Sequence, residues 1–279
     1  MQLGGYRLHV RAKGVVKEKR VEITDDVKAI LEAGRVERKC YYLPERQLDR
    51  AEYVKVNKIL KLLGGKWNHN KRAHVFADET AAISVLDSLD SGSVVDTKAT
   101  YQFFETPKKI ARQMVELANI HDGMIVLEPS AGDGAIAEAL AEYDIEKPLY
   151  NIGLIMVEID PEKCKALAGK KLGNVLCQDF LGNFADEYGR FDRIIMNPPF
   201  TRGQEAEHVL HAYERCLYPG GRLVSVMSAS VKFNQQKKYA LVRELIENHG
   251  EIIELPEGAF RESGTSVNTV LAILNKPLS

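Results

Sequence analysis

From about Thr100 onward the chain repeats one pattern, a strand-length apolar run followed by a helix-length amphipathic stretch. The apolar runs fall at Ile125–Glu128, Ile152–Glu158, Val175–Cys177, Arg193–Met196, Leu223–Met227, Glu251–Leu255 and Val267–Leu274. Helices fit most of the gaps, at roughly Ala135–Tyr143, Pro161–Lys170, Gln204–Cys216 and Lys237–His249. Another opens at Thr106-Pro107, with Thr106 as N-cap and Pro107 in the first turn, and carries Ile110, Met114, Leu117 and Ala118 as its core stripe. Strands alternating with helices in this way predict a doubly wound α/β domain whose seven-stranded sheet is mostly parallel. The connection between the last two strands is too short for a crossover helix, so the last strand should run antiparallel.

The first part of the chain has a different texture. Residues 1–98 read as a smaller α+β module, and residues 99–279 as the α/β domain. Val21–Thr24 predicts a strand, Asp25–Ala33 a short helix, and Glu45–Leu63 an amphipathic helix with Tyr53, Val56, Ile59, Leu60 and Leu63 on one side. Gly64-Gly65 ends that helix, Lys66–Phe76 reads as a hairpin, and Asp90-Ser91-Gly92-Ser93 as a polar linker after a helix end. Residues 1–98 hold 19 Lys and Arg against 14 Asp and Glu, although the whole chain is nearly balanced at 38 against 39. Most of the excess lies in Arg35–Arg72, either a phosphate-binding footprint or a solvated face.

Composition excludes several classes. No apolar run reaches about 18 residues, so no membrane span is expected. Met1–Val10 lacks a signal-peptide core, which predicts a cytoplasmic protein. Cys40, Cys164, Cys177 and Cys216 are scattered without metal-ligand spacing, and His208 and His211 lack an evident third ligand, so no metal is expected and both histidines read as surface residues.

The most specific motif is Asn197-Pro198-Pro199-Phe200, directly after the apolar run Ile194-Ile195-Met196. The exocyclic amine of an aromatic base is a poor nucleophile because its lone pair is delocalised into the ring. The Asn197 side-chain oxygen and the Pro198 carbonyl can accept its two N–H hydrogens, favouring a pyramidal nitrogen whose lone pair faces an incoming methyl. Pro199 adds rigidity, and Phe200 can stack on the base.

A second motif, Glu128-Pro129-Ser130-Ala131-Gly132-Asp133-Gly134, runs from a strand into a helix, where small residues allow close backbone approach. The absence of Gly-Lys-Ser/Thr rules out a phosphate-cradling loop of the Walker type. Glu158 closes the next strand, where a carboxylate can accept both ribose hydroxyls of a nucleoside. After the third strand, Asp179 can accept from an adenine amino group, with Phe180 or Ile159 on the ring face.

These motifs, in this order at successive strand ends, resemble those of the gamma-group N6-adenine or N4-cytosine DNA methyltransferases over residues from about Ala99 to Pro277. The resemblance implies a Rossmann-like methyltransferase fold, S-adenosylmethionine as cofactor, double-stranded DNA as partner and a place in restriction-modification. It implies Phe104, Thr106, Pro107, Glu128, Ser130, Gly132 and Gly134 at the methionine end of the cofactor. Glu158 falls to the ribose, and Asp179, Phe180 and Ile159 to the adenine. Asn197, Pro198, Pro199 and Phe200 form the target-amine site, and Phe260 matches an aromatic that flanks a flipped base.

One departure stands out. The chain after Phe200 finishes the sheet but is too short for the family's C-terminal target-recognition domain. Discrimination then falls to the basic N-terminal module, with Lys66-Trp67-Asn68-His69-Asn70-Lys71-Arg72, or to the loop Ser230–Lys238, where Lys232 and Phe233 can contact nucleic acid. RNA base amines and protein glutamine are alternative acceptors for the same motif, and a non-catalytic nucleic-acid-binding module on the same scaffold is the rival from another class. The sequence carries no signal for oligomeric state.

Overall fold

The structure is a computed structural model that describes residues 8–10, 19–96 and 104–278. The chain divides into two compact units, Val16–Thr100, and Tyr101–Ser279 together with Met1–Val15. The first described strand, β1 (Leu8–Val10), pairs in parallel with a strand of the large sheet, whereas the sequence placed it in the N-terminal module. A three-residue strand at a sheet edge has too few alternations to announce its partner.

The smaller unit contains β2 (Arg20–Glu22), α1 (Asp25–Glu32), β3 (Arg35–Glu37), β4 (Cys40–Tyr42), α2 (Arg50–Leu62), β5 (Lys66–Asn68), β6 (Ala73–Val75), α3 (Glu79–Ser91) and β7 (Ser93–Val95). A four-stranded antiparallel sheet has the order β3-β4-β6-β5, and β2 pairs separately with β7. The expected hairpin is β5–β6. α2 begins at Arg50 rather than Glu45 because Asp49 and Glu52 form a reciprocal capping box, with 2.8 and 3.0 Å bonds between each side chain and the other's backbone N–H. The expected linker at Asp90–Ser93 does not exist. α3 continues through Ser91, Gly92 ends it in the left-handed region (φ 65°), and the chain enters β7 at once. Tyr41, Val56, Leu60, Phe76 and Val85 are among the buried residues of this unit.

The larger unit continues with α4 (Lys108–Ala118), β8 (Ile125–Glu128), α5 (Ala135–Glu146), β9 (Gly153–Glu158), α6 (Pro161–Lys170), β10 (Asn174–Cys177), α7 (Phe184–Tyr188), β11 (Phe191–Met196), α8 (Gln204–His211), β12 (Leu217–Ser228), α9 (Lys237–His249), β13 (Gly250–Glu254) and β14 (Thr269–Asn275). The helix expected over Gln204–Cys216 runs as α8 and then widens into one π-helical turn, Ala212–Cys216. The sheet order is β1-β10-β9-β8-β11-β12-β14-β13, parallel except that β14 runs antiparallel to both neighbours. The seven expected strands are all present, and β1 makes eight. β12 starts earlier than expected because a register irregularity opposite Phe191 and Arg193 absorbs Tyr218–Gly221.

Side-chain alternation builds two packed layers. Leu127, Ile194 and Leu223 face a cluster with Phe184, Val209, Tyr213 and Val242, while Val126, Ile195 and Val224 face one with Ile110, Met114, Ile136 and Leu140. The chain leaves the central strand β8 towards β9 and returns on its other side at β11, so the strand order reverses there. Open α/β sheets bind ligands in the crevice at the carboxyl ends of such a pair. Among the described residues, no helix is long and apolar enough to cross a membrane.

Candidate active site

Two loops leave the carboxyl ends of β8 and β11 side by side. In the first, Gly132 and Gly134 both hold left-handed backbone (φ 55° and 86°), a region that costs a side-chain-bearing residue about 1–2 kcal/mol. The Ala131 N–H donates to the Val157 carbonyl (3.0 Å) and the Gly132 N–H to Glu158 Oε2 (2.7 Å), which lashes the loop to β9. A Cβ at Gly134 would lie 2.7 Å from Leu167 Cδ2, and Leu167 is itself buried in the core. Gly134→Val should therefore destabilise the protein by about 2–4 kcal/mol through backbone strain and overpacking. Urea unfolding checks this, and a change under about 0.5 kcal/mol, the size of a neutral surface substitution, would contradict the packing argument.

Glu128, at the end of β8, is 1 % exposed, and its Oε2 has no hydrogen-bond partner. Burial, reinforced by the charge of Glu158, pushes its carboxyl well above the ordinary value. Glu158 is also buried and shifted upward, first by burial, against which three backbone N–H groups pull. Its Oε1 accepts from Ile159 and Asp160 (2.8 Å each), so Oε1 is saturated, and Oε2, which takes only Gly132, keeps one lone pair. The sequence expectation that Glu158 accepts both ribose hydroxyls is thus reduced to one such bond in this geometry.

In the second loop Asn197 donates from Nδ2 to the Phe104 carbonyl (2.9 Å) and to Thr106 Oγ1 (3.0 Å). A carbonyl can only accept, so this contact fixes which end of the amide faces it. Thr106 was expected as the N-cap of α4, but Pro107 occupies that position and no side chain caps the helix. The Thr106 hydroxyl instead orients Asn197, which is why it is buried. Phe104 and Phe200 stack at 6.3 Å between centroids and 18° between planes. Pro198 is buried, and Pro199 and Phe200 are half-buried.

Asp179 and Ile159 are half-buried at the ends of β10 and β9, and Asp179 Oδ1 accepts from the Leu181 N–H (3.0 Å). Three expectations need correction. Phe180 is a core residue, 3 % exposed and packed against Phe184, His208 and His211, which leaves Ile159 as the apolar group beside Asp179. Phe260 is wholly buried among the sheet and α4 side chains and presents no face to a base. His208 is buried rather than on the surface, with Nδ1 2.9 Å from the Gln204 carbonyl, and burial lowers its pKa. Lys232 is held by Glu254 (2.6 Å), whereas Phe233 is 67 % exposed. Gln178, whose buried Nε2 lacks a partner beside Asp179, went unremarked in the sequence because a lone glutamine carries no motif. Among the described residues no cluster could hold a metal ion.

The reversed strand order, the antiparallel end of the sheet and the two loops at its switch point define a Rossmann-like methyltransferase, a fold that implies S-adenosylmethionine as methyl donor. A family model, the methyltransferase small domain, matches residues 112–254, and the chain belongs to that family. In fold the chain is similar to the type I restriction-modification methyltransferase subunit of Streptococcus thermophilus (18 % identity, 71 % of this chain and 54 % of that one, TM-score 0.53). It is similar to a modification subunit assigned to a type I restriction enzyme of Vibrio vulnificus (17 % identity, 91 % and 66 %, TM-score 0.53). The EcoKI M protein gives 15 % identity over 90 % of this chain and 56 % of that one, with a TM-score of 0.52. The chain thus spans between about half and two thirds of the length of these structures. Comparison with curated proteins yields no match.

Proposed function

We propose that this chain transfers a methyl group from S-adenosylmethionine to the N6 amine of adenine in double-stranded DNA, by in-line displacement on a base flipped out of the stack. The observation that carries the reading is the Asn197 amide. With Nδ2 engaged by Phe104 and Thr106, Oδ1 is turned away from both and takes no hydrogen bond from any described residue. An oriented, unused acceptor beside a proline-fixed carbonyl suits an amine that must surrender its conjugation.

The residues of the first loop fit the methyl donor. The unpartnered buried Glu128 Oε2 offers an acceptor for its ammonium group, beside a loop whose turn is set by the left-handed Gly132 and Gly134. Glu158 Oε2 offers a hydroxyl acceptor, and Asp179 with Ile159 a polar edge and an apolar face for an adenine. When bound, S-adenosylmethionine supplies an electrophilic methyl on a sulfonium, so the protein needs alignment more than a strong base. Asn197 and Pro198 hold the amine, and Phe200, steadied by Phe104, offers a ring on which the base stacks. The likeness to restriction-modification subunits supports DNA over other acceptors by analogy of fold.

The test is transfer of labelled methyl from S-adenosylmethionine to unmethylated genomic DNA, total RNA and a protein extract in parallel. Label recovered from DNA as N6-methyladenine is the expected result. Label confined to RNA or protein would keep the chemistry and overturn the acceptor, and none in any of the three would overturn catalysis by the chain alone.

A further inference from the structure

The proposed reaction leaves the exposed ring of Phe233, which follows the strand beside the site, unexplained. β12 pairs Ser225 with Met196, the last residue of β11, so Val226, Met227 and Ser228 run on past the strand that delivers Asn197. At about 3.3 Å per residue, Ser228 stands roughly 10 Å beyond the floor of the site. A single 3-10 turn, Ala229–Lys232, follows, and Phe233 leaves it with two thirds of its surface in water. The backbone beneath the ring is tied down. Arg243 donates to the carbonyls of Val231 (2.9 Å) and Asn234 (2.6 Å), and the N–H groups of Phe233 and Asn234 both reach the Ser230 carbonyl (3.0 and 2.7 Å). Val231 is buried, and Lys238 donates to the carbonyl of Arg202, two residues past Phe200.

The surroundings match a ring turned towards nucleic acid. The Ala229 N–H joins this turn to the Asn268 carbonyl (2.8 Å), which brings in Val267, another exposed apolar side chain. Lys232 and Lys238 are neutralised by Glu254 and Glu207, but Arg202 and Lys237 have no ion-pair partner among the described residues. An apolar tip on a tied-down turn, with Lys237 four residues along the chain and Arg202 joined to the same segment through Lys238, past the end of the strand beside the proposed base site, fits a duplex from which that base has been withdrawn. A withdrawn base leaves a gap in the stack, which an aromatic ring can fill by stacking on the neighbouring pairs. Because the loop is already ordered, insertion carries little ordering cost.

We propose that Phe233 is a wedge that enters the base stack of duplex DNA and holds open the gap left by the target base, with Arg202 and Lys237 on the flanking phosphates. The inference rests on the DNA reading above. The test compares the full chain with Phe233→Ala and Phe233→Trp on unmethylated genomic DNA, native and heat-denatured. Phe233→Ala should lower kcat/KM on native DNA roughly ten- to hundredfold, the scale of one lost base–aromatic stack. On denatured DNA the loss should stay under about threefold, with S-adenosylmethionine affinity unchanged. After subtraction of the Trp67 signal, the indole of Phe233→Trp should be quenched and shielded from acrylamide by native DNA. An equal loss on both forms of DNA, no loss on either, or an indole still open to acrylamide overturns the wedge. Wild-type protein that leaves DNA unlabelled overturns the DNA reading itself, before any variant is compared.

Discussion

Asn197→Ala should reduce methyl transfer by about a thousandfold while leaving S-adenosylmethionine affinity within about threefold. The asymmetry follows from where the side chain reaches. Both Nδ2 bonds go to Phe104 and Thr106, on the segment before α4, and nothing ties Asn197 to the Gly132–Gly134 loop or to Glu158. Removing it takes away one of the two acceptors proposed for the amine but leaves the Gly132–Gly134 loop intact. Removal of a single oriented transition-state hydrogen-bonding group costs about 3–4 kcal/mol, which is a hundred- to a thousandfold in rate. The amine has no other route to localising its lone pair, so the upper end is expected. Thr106→Val supplies the finer test. It keeps Asn197 and removes one of the two partners that fix its amide, so transfer should fall by roughly tenfold, the worth of about one hydrogen bond. Single-turnover transfer with calorimetric binding of the cofactor separates the two effects. An equal loss of affinity and rate in Asn197→Ala would remove Asn197 from the acceptor site.

The alternation of strands and helices was legible because each strand of the α/β domain is a self-contained run of apolar residues. Ile125–Glu128, Pro161–Lys170 and Lys237–His249 fall where the periodicity puts them. The smaller unit was less legible because β3, β4 and β7 are three-residue strands, and β4 and β7 take partners distant in sequence, β6 and β2. Within the site, glycines and the Asn-Pro-Pro-Phe turn announce themselves because backbone conformation and chemistry leave few substitutes. Aromatic residues do not, since Phe180, Phe200, Phe233 and Phe260 look alike in sequence. Burial alone separates the core rings Phe180 and Phe260 from the ring beside Asn197 and from the ring in water. Thr106 shows the same limit in another form, because Thr-Pro before a helix reads as a cap and only the fold brings Asn197 within 3.0 Å of its hydroxyl.

Glu128→Gln should stabilise the cofactor-free protein at neutral pH and weaken its hold on S-adenosylmethionine by roughly ten- to hundredfold. The folded protein raises the Glu128 pKa above its ordinary value of 4.5, chiefly by burial and then by the charge of Glu158. A raised pKa means that the unfolded chain releases this proton at lower pH than the folded one. The associated stability is therefore complete below pH 4.5 and declines as pH climbs towards the folded-state pKa, at up to about 1.4 kcal/mol per pH unit per proton. Glutamine keeps the shape of the side chain and cannot ionise, so the decline should become shallower in Glu128→Gln. It will not vanish, because Glu158 is shifted in the same direction. A cationic ligand group beside Oε2 reverses the balance by favouring the carboxylate, so binding should release a proton and strengthen with rising pH in the native protein. The amide loses that charge-assisted contact, worth about 1.5–3 kcal/mol. Denaturation midpoints from pH 5 to 8, with calorimetry in buffers of different ionisation enthalpy, measure both halves. A variant less stable than the parent at pH 7, or a parent that takes up no buffer-dependent heat on binding, would show that Glu128 is charged before the cofactor arrives. Its orphaned oxygen would then need another partner. The geometry argues the other way, since a buried carboxylate with an unfilled acceptor and a second carboxylate as neighbour is a site held ready for a cation at a cost in stability.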